Sequence, residues 1–258
     1  NDNIYLAGGY RSGSVDFDPD STGTQMRYRN GQNFKSFVLK LTDAGDYQNV
    51  LVGEGAGVSL IRDLKFDQNG NVYVAGTYEG VTDLLPGSGS KNTKSKDGIN
   101  SGYFIQKLDT SLTYQWSKYH ITENTFHSGY LYRYISRKNN IKIFPHGNEL
   151  YVAAGFSNKV YLQPDSTMGD SLLSPITASN THYTSDLYFM RYQINTGEIK
   201  WKMVPKDSRQ HHFTLVNLLE KNSQMLLSAN VNREFTIDLV NGVKFGPTNQ
   251  PSSGNNIN

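Results

Sequence analysis

The sequence predicts an all-β fold made of repeated four-stranded antiparallel units, and three observations support this prediction. One apolar segment recurs about every 70–80 residues, and such self-similarity is the signature of a repeat architecture. The apolar runs are short, rich in Val, Ile, Tyr and Phe, and bounded by Gly, Asn, Asp and Pro, as β-strands are. No segment keeps the apolar period of an amphipathic helix, so we expect almost no helix.

The recurring segment is the second of four predicted strands in each repeat. Its copies are Ile4–Gly8, Val72–Gly76 and Leu150–Ala153, with a weaker copy at Leu226–Ala229. Each of the first three copies is followed, in the same order, by a turn containing Pro, an apolar strand containing Phe, and a polar turn leading into a last strand. Four groups in one order at matching offsets are not expected by chance, so the repeat is genuine.

The best-preserved repeat defines four strands, which we name a to d. Strand a is predicted at Leu60–Asp67, b at Asn71–Tyr78, c at Gly102–Asp109 and d at Thr113–His120. Asn69-Gly70 predicts a two-residue hairpin between a and b, in which both residues adopt positive φ. Strand b is almost continuously apolar, which indicates that neighbouring units cover both of its faces.

Four-stranded units stacked in series predict a β-propeller built of four-stranded antiparallel blades. We predict a single propeller over residues 1–258, with repeat units at about 1–57, 58–130, 131–212 and 213–258. The chain supplies strands b-c-d, a-b-c-d, a-b-c-d and a-b, or about three and a half blades, whereas closed propellers usually have four to eight. Because open ends would leave strand edges unpaired, we expect part of a longer propeller, with an isolated four-bladed ring as the alternative.

Three stretches carry the best-preserved motifs of the repeat: Asp67–Gly76, Gly13–Pro19 and Phe37–Gly45. In these motifs the chain resembles the bacterial SBBP-type β-propeller repeats, and the resemblance covers most of residues 1–204. It implies a propeller fold and a secreted or cell-surface bacterial protein, and it implies no particular activity. The later units depart from the pattern, since Tyr192 stands where the earlier units have a lysine.

The composition narrows the classes of function. The net charge is only +2, from 25 basic and 23 acidic residues without a long run of either sign, so no nucleic-acid partner is expected. The chain has no cysteine, which excludes disulfides and thiolate metal sites, and this is compatible with an exported bacterial protein. No apolar run is long enough to span a bilayer, so we expect no membrane insertion and an extracellular or cell-surface location.

The predicted connections differ at the two ends of the strands. The a–b and c–d turns are tight, whereas the b–c and d–a connections are long and different in every unit. Function on a rigid scaffold usually collects on such variable loops, although they are equally explained as tolerated insertions. Our candidates for contact with a protein or glycan partner are the aromatic residues of these loops: Tyr28, Phe126, Tyr130 and Tyr183.

Asp16, Asp18 and Asp20 form a candidate calcium site, because carboxylates at alternate positions can wrap an ion that takes six to eight oxygen ligands. The calcium-loop pattern is incomplete, since Ser21 stands where Gly is usual and Arg27 where Glu is usual. A structural turn is the alternative interpretation. We expect no other cofactor, because the six histidines are scattered along the chain.

No nucleophile elbow, phosphate-binding glycine loop or zinc motif occurs in the sequence, so no catalytic residue is predicted. The observations favour a non-enzymatic, secreted or cell-surface module that binds a protein or glycan through its long b–c and d–a loops. Two alternatives stay open. One is a polysaccharide lyase or hydrolase with acid–base groups at the central opening. The other is a structural spacer that packs against the remaining propeller blades or against neighbouring chains of a larger assembly.

Overall fold

A computed structural model describes most of the chain between residues 3 and 231. The described residues are 3–11, 13–28, 33–84, 92–93, 101–123, 141–156, 159–162, 170–173, 186–204, 213–221 and 224–231. They form 17 strands and no helix, so the predicted all-β fold and the near absence of helix are confirmed for this part of the chain.

The strands alternate in sequence with turns and connections of very different length. They are β1 (Ile4–Tyr10), β2 (Ser14–Asp16), β3 (Met26–Tyr28), β4 (Lys35–Leu41), β5 (Tyr47–Val52), β6 (Val58–Phe66), β7 (Val72–Glu79), β8 (Ser101–Leu108), β9 (Tyr114–Glu123), β10 (Ile141–His146), β11 (Glu149–Phe156), β12 (Lys159–Leu162), β13 (Ser171–Leu173), β14 (Asp186–Gln193), β15 (Ile199–Met203), β16 (Phe213–Lys221) and β17 (Gln224–Val231).

These strands form four main antiparallel sheets, which we number along the chain. Sheet 1 has the order β1-β4-β5, sheet 3 the order β10-β11-β14-β15, and sheet 4 contains β16 and β17. Sheet 2 has the order β6-β7-β8-β9 and is extended at β9 by β12 and β13, while β2 and β3 form a separate hairpin. Sheets 2 and 3 thus contain the predicted order a-b-c-d. No closed barrel or propeller is found among the described strands.

The turn between β6 and β7 differs from the predicted two-residue hairpin. Gly70 has a φ of 77°, whereas Asn69 does not adopt positive φ. The Gly70 N–H donates to the Asp67 carbonyl oxygen at 3.0 Å, which is the pattern of a type I turn followed by a left-handed glycine. The Asp67 carboxylate stabilises this turn, because it accepts the backbone N–H groups of Asn69 and Asn71 at 2.9 Å each and the Tyr73 hydroxyl at 3.0 Å.

The three c–d hairpins have related turns, and the third is one residue longer: the N–H groups of Gly45 and Leu112 donate to the carbonyl oxygen three residues earlier, and that of Gly197 to the one four residues earlier. The last residue of each turn has positive φ: 94° at Gly45, 63° at Leu112 and 64° at Gly197. Each hairpin also has a register shift near the turn, because strand d has one residue without a partner in strand c: Gln48, Gln115 and Lys200. Leu112 is an unusual residue for this backbone region, and its burial among the apolar side chains of sheet 2 offsets the strain.

Apolar side chains fill the spaces between successive sheets. Sheet 1 packs on one face of sheet 2 around Val38, Val72 and Val74, and sheet 3 packs on the other face around Ile105 and Val152. Strand β7 is therefore buried over nearly its whole length, which confirms the prediction from its continuous apolar run. Sheet 3 in turn packs on sheet 4 through Phe189 and Leu218.

Hydrogen bonds at the tight-turn end join sheet 1 to sheet 2 and sheet 2 to sheet 3. From sheet 1, the Lys40 ammonium and the Tyr5 hydroxyl donate to the carbonyl oxygen of Thr110 in the β8–β9 turn, at 2.8 and 3.3 Å. From sheet 2, the Trp116 indole N–H donates to the carbonyl oxygen of Ile194 at the end of β14, at 3.1 Å. The tight turns thus serve as attachment points for the preceding sheet.

Replacing Asp67 tests whether its carboxylate stabilises the turn between β6 and β7. We expect Asp67→Ala to lower the free energy of unfolding by about 1–3 kcal/mol, because several donors lose their acceptor. Asp43→Ala is the matched control in the β4–β5 turn and should cost much less. Denaturant unfolding at pH 7 measures both, and equal losses would contradict the account.

The same variants should differ less in acid. Burial alone would raise the pKa of Asp67, but the hydrogen bonds from Asn71 and Tyr73 outweigh it and hold the pKa below the usual 3.8. A carboxyl with a lowered pKa stabilises the fold above its unfolded pKa and loses that effect as the pH falls through the folded value. The loss caused by Asp67→Ala should therefore shrink below about pH 4.

Candidate functional site

The long connections leave strand b at one end of the sheets, and the structure describes parts of three of them. They are residues 11–34, 80–100 and 157–185. In each connection a short extended segment follows strand b: β2 in the first, residues 81–84 in the second and β12 in the third. This segment is a repeated feature that the sequence columns did not separate from the loops.

The first and third connections form equivalent hairpins. The Phe17 N–H donates to the Gln25 carbonyl oxygen at 3.2 Å at the end of β2, and the Leu162 N–H donates to the Asp170 carbonyl oxygen at 2.8 Å at the end of β12. Both apolar residues are buried. The recurring Pro-Asp-Ser sequence follows each of them within three residues, and it is the sequence signal that marks the equivalence.

Large apolar side chains are exposed at the same position of both hairpins. Tyr28 on β3 pairs with Ser14 and is 76% exposed, and Leu173 on β13 pairs with Lys159 and is 65% exposed. Sequence reasoning selected Tyr28 and missed Leu173, although the repeat aligns the two. The remaining aromatic candidates lie outside the described residues: Phe126, Tyr130 and Tyr183.

The three candidate calcium ligands hold the β2–β3 loop together through backbone bonds. One Asp16 oxygen accepts the N–H groups of Asp18 and Gln25 at 3.0 and 2.8 Å. Asp18 accepts the N–H of Asp20 at 3.1 Å, and Asp20 accepts that of Thr22 at 2.9 Å. The backbone N–H groups of Gln25 and Asp18 hold the pKa of the exposed Asp16 carboxyl below its usual value.

This geometry supports the structural-turn interpretation of the aspartates. A Cβ at Gly23 would lie 2.1 Å from an Asp18 carboxylate oxygen, so the loop closes tightly against that side chain, which would have to move for a larger residue. Within the described ranges, no three His, Cys, Asp or Glu side chains are arranged to hold a metal ion. Calcium at Asp16, Asp18 and Asp20 stays a prediction.

His120 lies fully buried between sheets 2 and 3. It is on β9, and its Nδ1 is 2.7 Å from the Tyr188 hydroxyl of β14, while its Nε2 contacts the Tyr192 hydroxyl of the same strand. The Tyr192 hydroxyl donates in turn to the Met190 sulfur at 3.7 Å. Burial lowers the pKa of His120 to about 3, so the imidazole is neutral at physiological pH.

One tautomer of His120 satisfies every proton in this network. If Nε2 carries the proton, it donates to the Tyr192 oxygen, and Nδ1 accepts from the Tyr188 hydroxyl. The opposite tautomer would leave the buried Tyr188 proton without an acceptor, which is costly. The sequence pattern assigned no role to His120 and did not reveal this network. Its one local signal is the four-residue spacing of the tyrosines, which puts them on one face of a strand.

Charged groups on strand a are also used for packing. The Asp63 carboxylate follows the bulge in β6, accepts the Leu64 N–H at 3.1 Å, and accepts the Ile143 N–H of β10 in sheet 3 at 2.9 Å. Burial is the main cause that raises the Asp63 pKa. Beside it, two nitrogens of the half-buried Arg62 have no hydrogen-bond partner, and burial lowers the Arg62 pKa.

A shallow groove of ≈ 410 Å³ follows the outer edge of sheet 3. Lys202 of β15 contacts Asp170 at the start of β13, and Lys200 bonds Glu198 at 2.8 Å. Trp201 lines the groove and packs partly on the sheet 3–sheet 4 core. The lysine and acidic side chains of the groove already pair with one another. The groove can therefore offer a binding partner polar and aromatic contacts.

Comparisons with known proteins add no family to this description. No protein-family model matches the chain, and no curated protein matches its sequence. No helix in the described part of the chain is long and apolar enough to cross a membrane. The class that the structure defines is an all-β protein of stacked antiparallel sheets, with repeated hairpins at one end.

The buried histidine predicts a pH dependence of stability. In the folded state His120 stays neutral down to about pH 3, whereas in the unfolded chain it protonates near 6.5. The unfolded state therefore binds more protons between these values, and stability falls as the pH is lowered, by at most about 1.4 kcal/mol per pH unit. His120→Leu should remove this slope and cost about 2–4 kcal/mol at pH 7, because two buried hydroxyls lose a partner.

Tyr188→Phe is the matched control for that variant. It removes one hydroxyl but keeps the titrating imidazole, so it should lower stability less and retain the pH slope. Denaturant unfolding between pH 4 and pH 7 compares the three proteins. A slope that is the same in wild type and His120→Leu would show that His120 is not kept neutral by the fold.

Proposed function

We propose that this chain is part of a β-propeller that serves as a non-enzymatic binding module of a secreted or cell-surface bacterial protein. Its partner is a protein or glycan, bound at the end of the long connections. The observation that carries the proposal is the pair of exposed apolar side chains, Tyr28 and Leu173, at the equivalent position of two hairpins at that end. Exposure of apolar groups at the same position of two hairpins supports an interaction surface at this end.

The stacking of the sheets supports the propeller. Each sheet packs face to face on the next in chain order, and strand a of sheets 2, 3 and 4 lies against the preceding or following sheet. This is the relation between neighbouring blades. The resemblance to SBBP-type repeats supports the extracellular or cell-surface setting.

The opposite end of the sheets is less suited to binding. Its turns are short, and their carbonyl oxygens accept bonds from the neighbouring sheet, as at Thr110 and Ile194. The long connections are not held to a short length in this way, and they differ in every unit. Binding residues usually lie in such variable connections.

The chemistry of the exposed residues favours a protein over a glycan. Tyr28 has a ring that can stack on a sugar, whereas Leu173 and Val81 are aliphatic, and Val81 is 42% exposed. Aliphatic groups give a sugar no ring to stack on, but they pack well in the centre of a protein interface. A protein surface therefore uses all three side chains.

Binding by matched variants tests the proposal. The wild-type chain, a Tyr28→Ser/Leu173→Ser variant and a Phe66→Ser variant are immobilised and exposed to bacterial surface-protein extract and to a glycan array. Phe66 is the control because it is 45% exposed at the tight-turn end. We expect the double variant to lose about tenfold or more in affinity, as buried interface anchors do, and Phe66→Ser to bind like wild type.

Two results would contradict the proposal. One is an absence of any saturable binding by the wild type to either surface. The other is equal binding by wild type and the double variant, with Phe66→Ser weaker, since that would place the contact at the tight-turn end. Circular dichroism of all three proteins confirms that a lost affinity is not a lost fold.

A further inference from the structure

The turn between β6 and β7 contains a chemically reactive pair of residues, Asn69 and Gly70. An asparagine followed by glycine cyclises readily, because no side chain shields the glycine nitrogen from the asparagine side-chain amide. Asn69 is exposed at the tip of the hairpin. The fold favours glycine at the next position, since the φ of Gly70 is 77°. The backbone of the turn therefore selects the residue that makes Asn69 reactive.

The reaction is an intramolecular deamidation that needs water as its only co-reactant. The Gly70 nitrogen loses its proton and attacks Cγ of the Asn69 side chain. A new C–N bond forms, the bond from Cγ to the side-chain nitrogen breaks, and ammonia leaves. Water then opens the cyclic succinimide at either of its carbonyl carbons. The product is aspartate, or isoaspartate, in which the main chain runs through the former side chain.

The folded turn holds the attacking nitrogen in another hydrogen bond. The Gly70 N–H donates to the Asp67 carbonyl oxygen at 3.0 Å. One oxygen of the Asp67 carboxylate accepts the N–H groups of Asn69 and Asn71 at 2.9 Å each, and the other accepts the Asn71 side-chain amide at 2.8 Å. Because attack requires the Gly70 peptide group to rotate towards the Asn69 side chain, these bonds have to open before the reaction can occur.

The turn between β8 and β9 has the same carboxylate clamp without the reactive pair. The Asp109 carboxylate accepts the N–H groups of Ser111 and Thr113 at 2.8 and 2.9 Å. The Leu112 N–H donates to the Asp109 carbonyl oxygen at 3.0 Å, and Leu112 has the positive φ of 63° that corresponds to that of Gly70. The two turns of sheet 2 thus share their geometry and differ in their reactive sequence.

We propose that Asn69 is a deamidation site whose reactivity is controlled by the Asp67 carboxylate. In the folded protein the clamp suppresses the reaction, and each opening of the β6–β7 turn exposes Asn69 to irreversible conversion. Conversion places a second carboxylate beside Asp67, and isoaspartate also lengthens the main chain between the two strands. Modified molecules therefore accumulate with the time that the turn spends open. This inference concerns the tight-turn end and is independent of the proposed binding role.

Peptide mapping measures the conversion at this position. Cleavage after lysine isolates residues 66–91, in which Asn69 is the only asparagine that precedes a glycine. The full chain is incubated at pH 7, and the aspartate and isoaspartate forms of this peptide are quantified by chromatography with mass spectrometry. We expect Asn69 to convert at least about tenfold more slowly in the folded wild type than in the same chain in guanidinium chloride, because few folded molecules have the turn open.

Asp67→Ala and Asp109→Ala are the matched variants, since each removes one carboxylate clamp of sheet 2. Asp67→Ala should raise the rate of Asn69 conversion in the folded protein by about tenfold, because the lost hydrogen bonds favour the open turn. Asp109→Ala should leave this rate at the wild-type value, because it loosens the other turn. Amide hydrogen exchange in β7 and β8 reports whether each protein is folded.

Three outcomes would overturn the inference. The first is that Asn69 does not convert even in the denatured wild type, which would show that the pair is unreactive. The second is an equal rate in folded and denatured wild type, or in folded wild type and Asp67→Ala, since the clamp would then have no effect. The third is an equal acceleration by Asp67→Ala and Asp109→Ala, which would assign the control to unfolding of the whole protein.

Discussion

The interface between sheets 2 and 3, which we call the seam, has to exclude water. The packing of the other sheets depends on it. His120 is fully buried there, and its two nitrogens are satisfied by Tyr188 and Tyr192 of the facing sheet. The Tyr103 hydroxyl donates to the Gly155 carbonyl oxygen at 2.6 Å across the same seam. These buried polar groups are stable only because each has a hydrogen-bond partner. Sheets 2 and 3 can therefore pack in this register and not in a shifted one.

Face-to-face packing of this kind divides the molecule into two ends with different roles. At the tight-turn end, side chains of one sheet bond the turns of the next, as Lys40 does at Thr110. At the other end, the connections form hairpins that reach back to the preceding sheet, as β12 does at β9. Among the described residues, the scaffold leaves Tyr28 and Leu173 exposed at the open ends of these hairpins.

The sequence predicts the local part of this structure well. Strand order, strand positions and the two-sided burial of β7 follow from periodicity, because each depends on nearby residues. The predicted type of the Asn69-Gly70 turn was wrong. The Asp67 carboxylate makes hydrogen bonds in this turn that a prediction from the dipeptide alone does not consider. The pairing of β12 with β9 and the His120 network join residues far apart in the chain, and no local pattern encodes such contacts. Calcium binding at Asp16, Asp18 and Asp20 stays a prediction.

The protonation state of His120 tests the water-free seam most directly. Nitrogen-15 NMR of the histidine side chains distinguishes the two neutral tautomers from the imidazolium. At pH 5 we predict that His120 is neutral with its proton on Nε2, and that this proton exchanges slowly with solvent, because burial lowers the pKa to about 3. Titration of His120 near its ordinary value of 6.5, with rapid exchange of its ring proton, would show that water enters the seam and that sheets 2 and 3 do not pack as described.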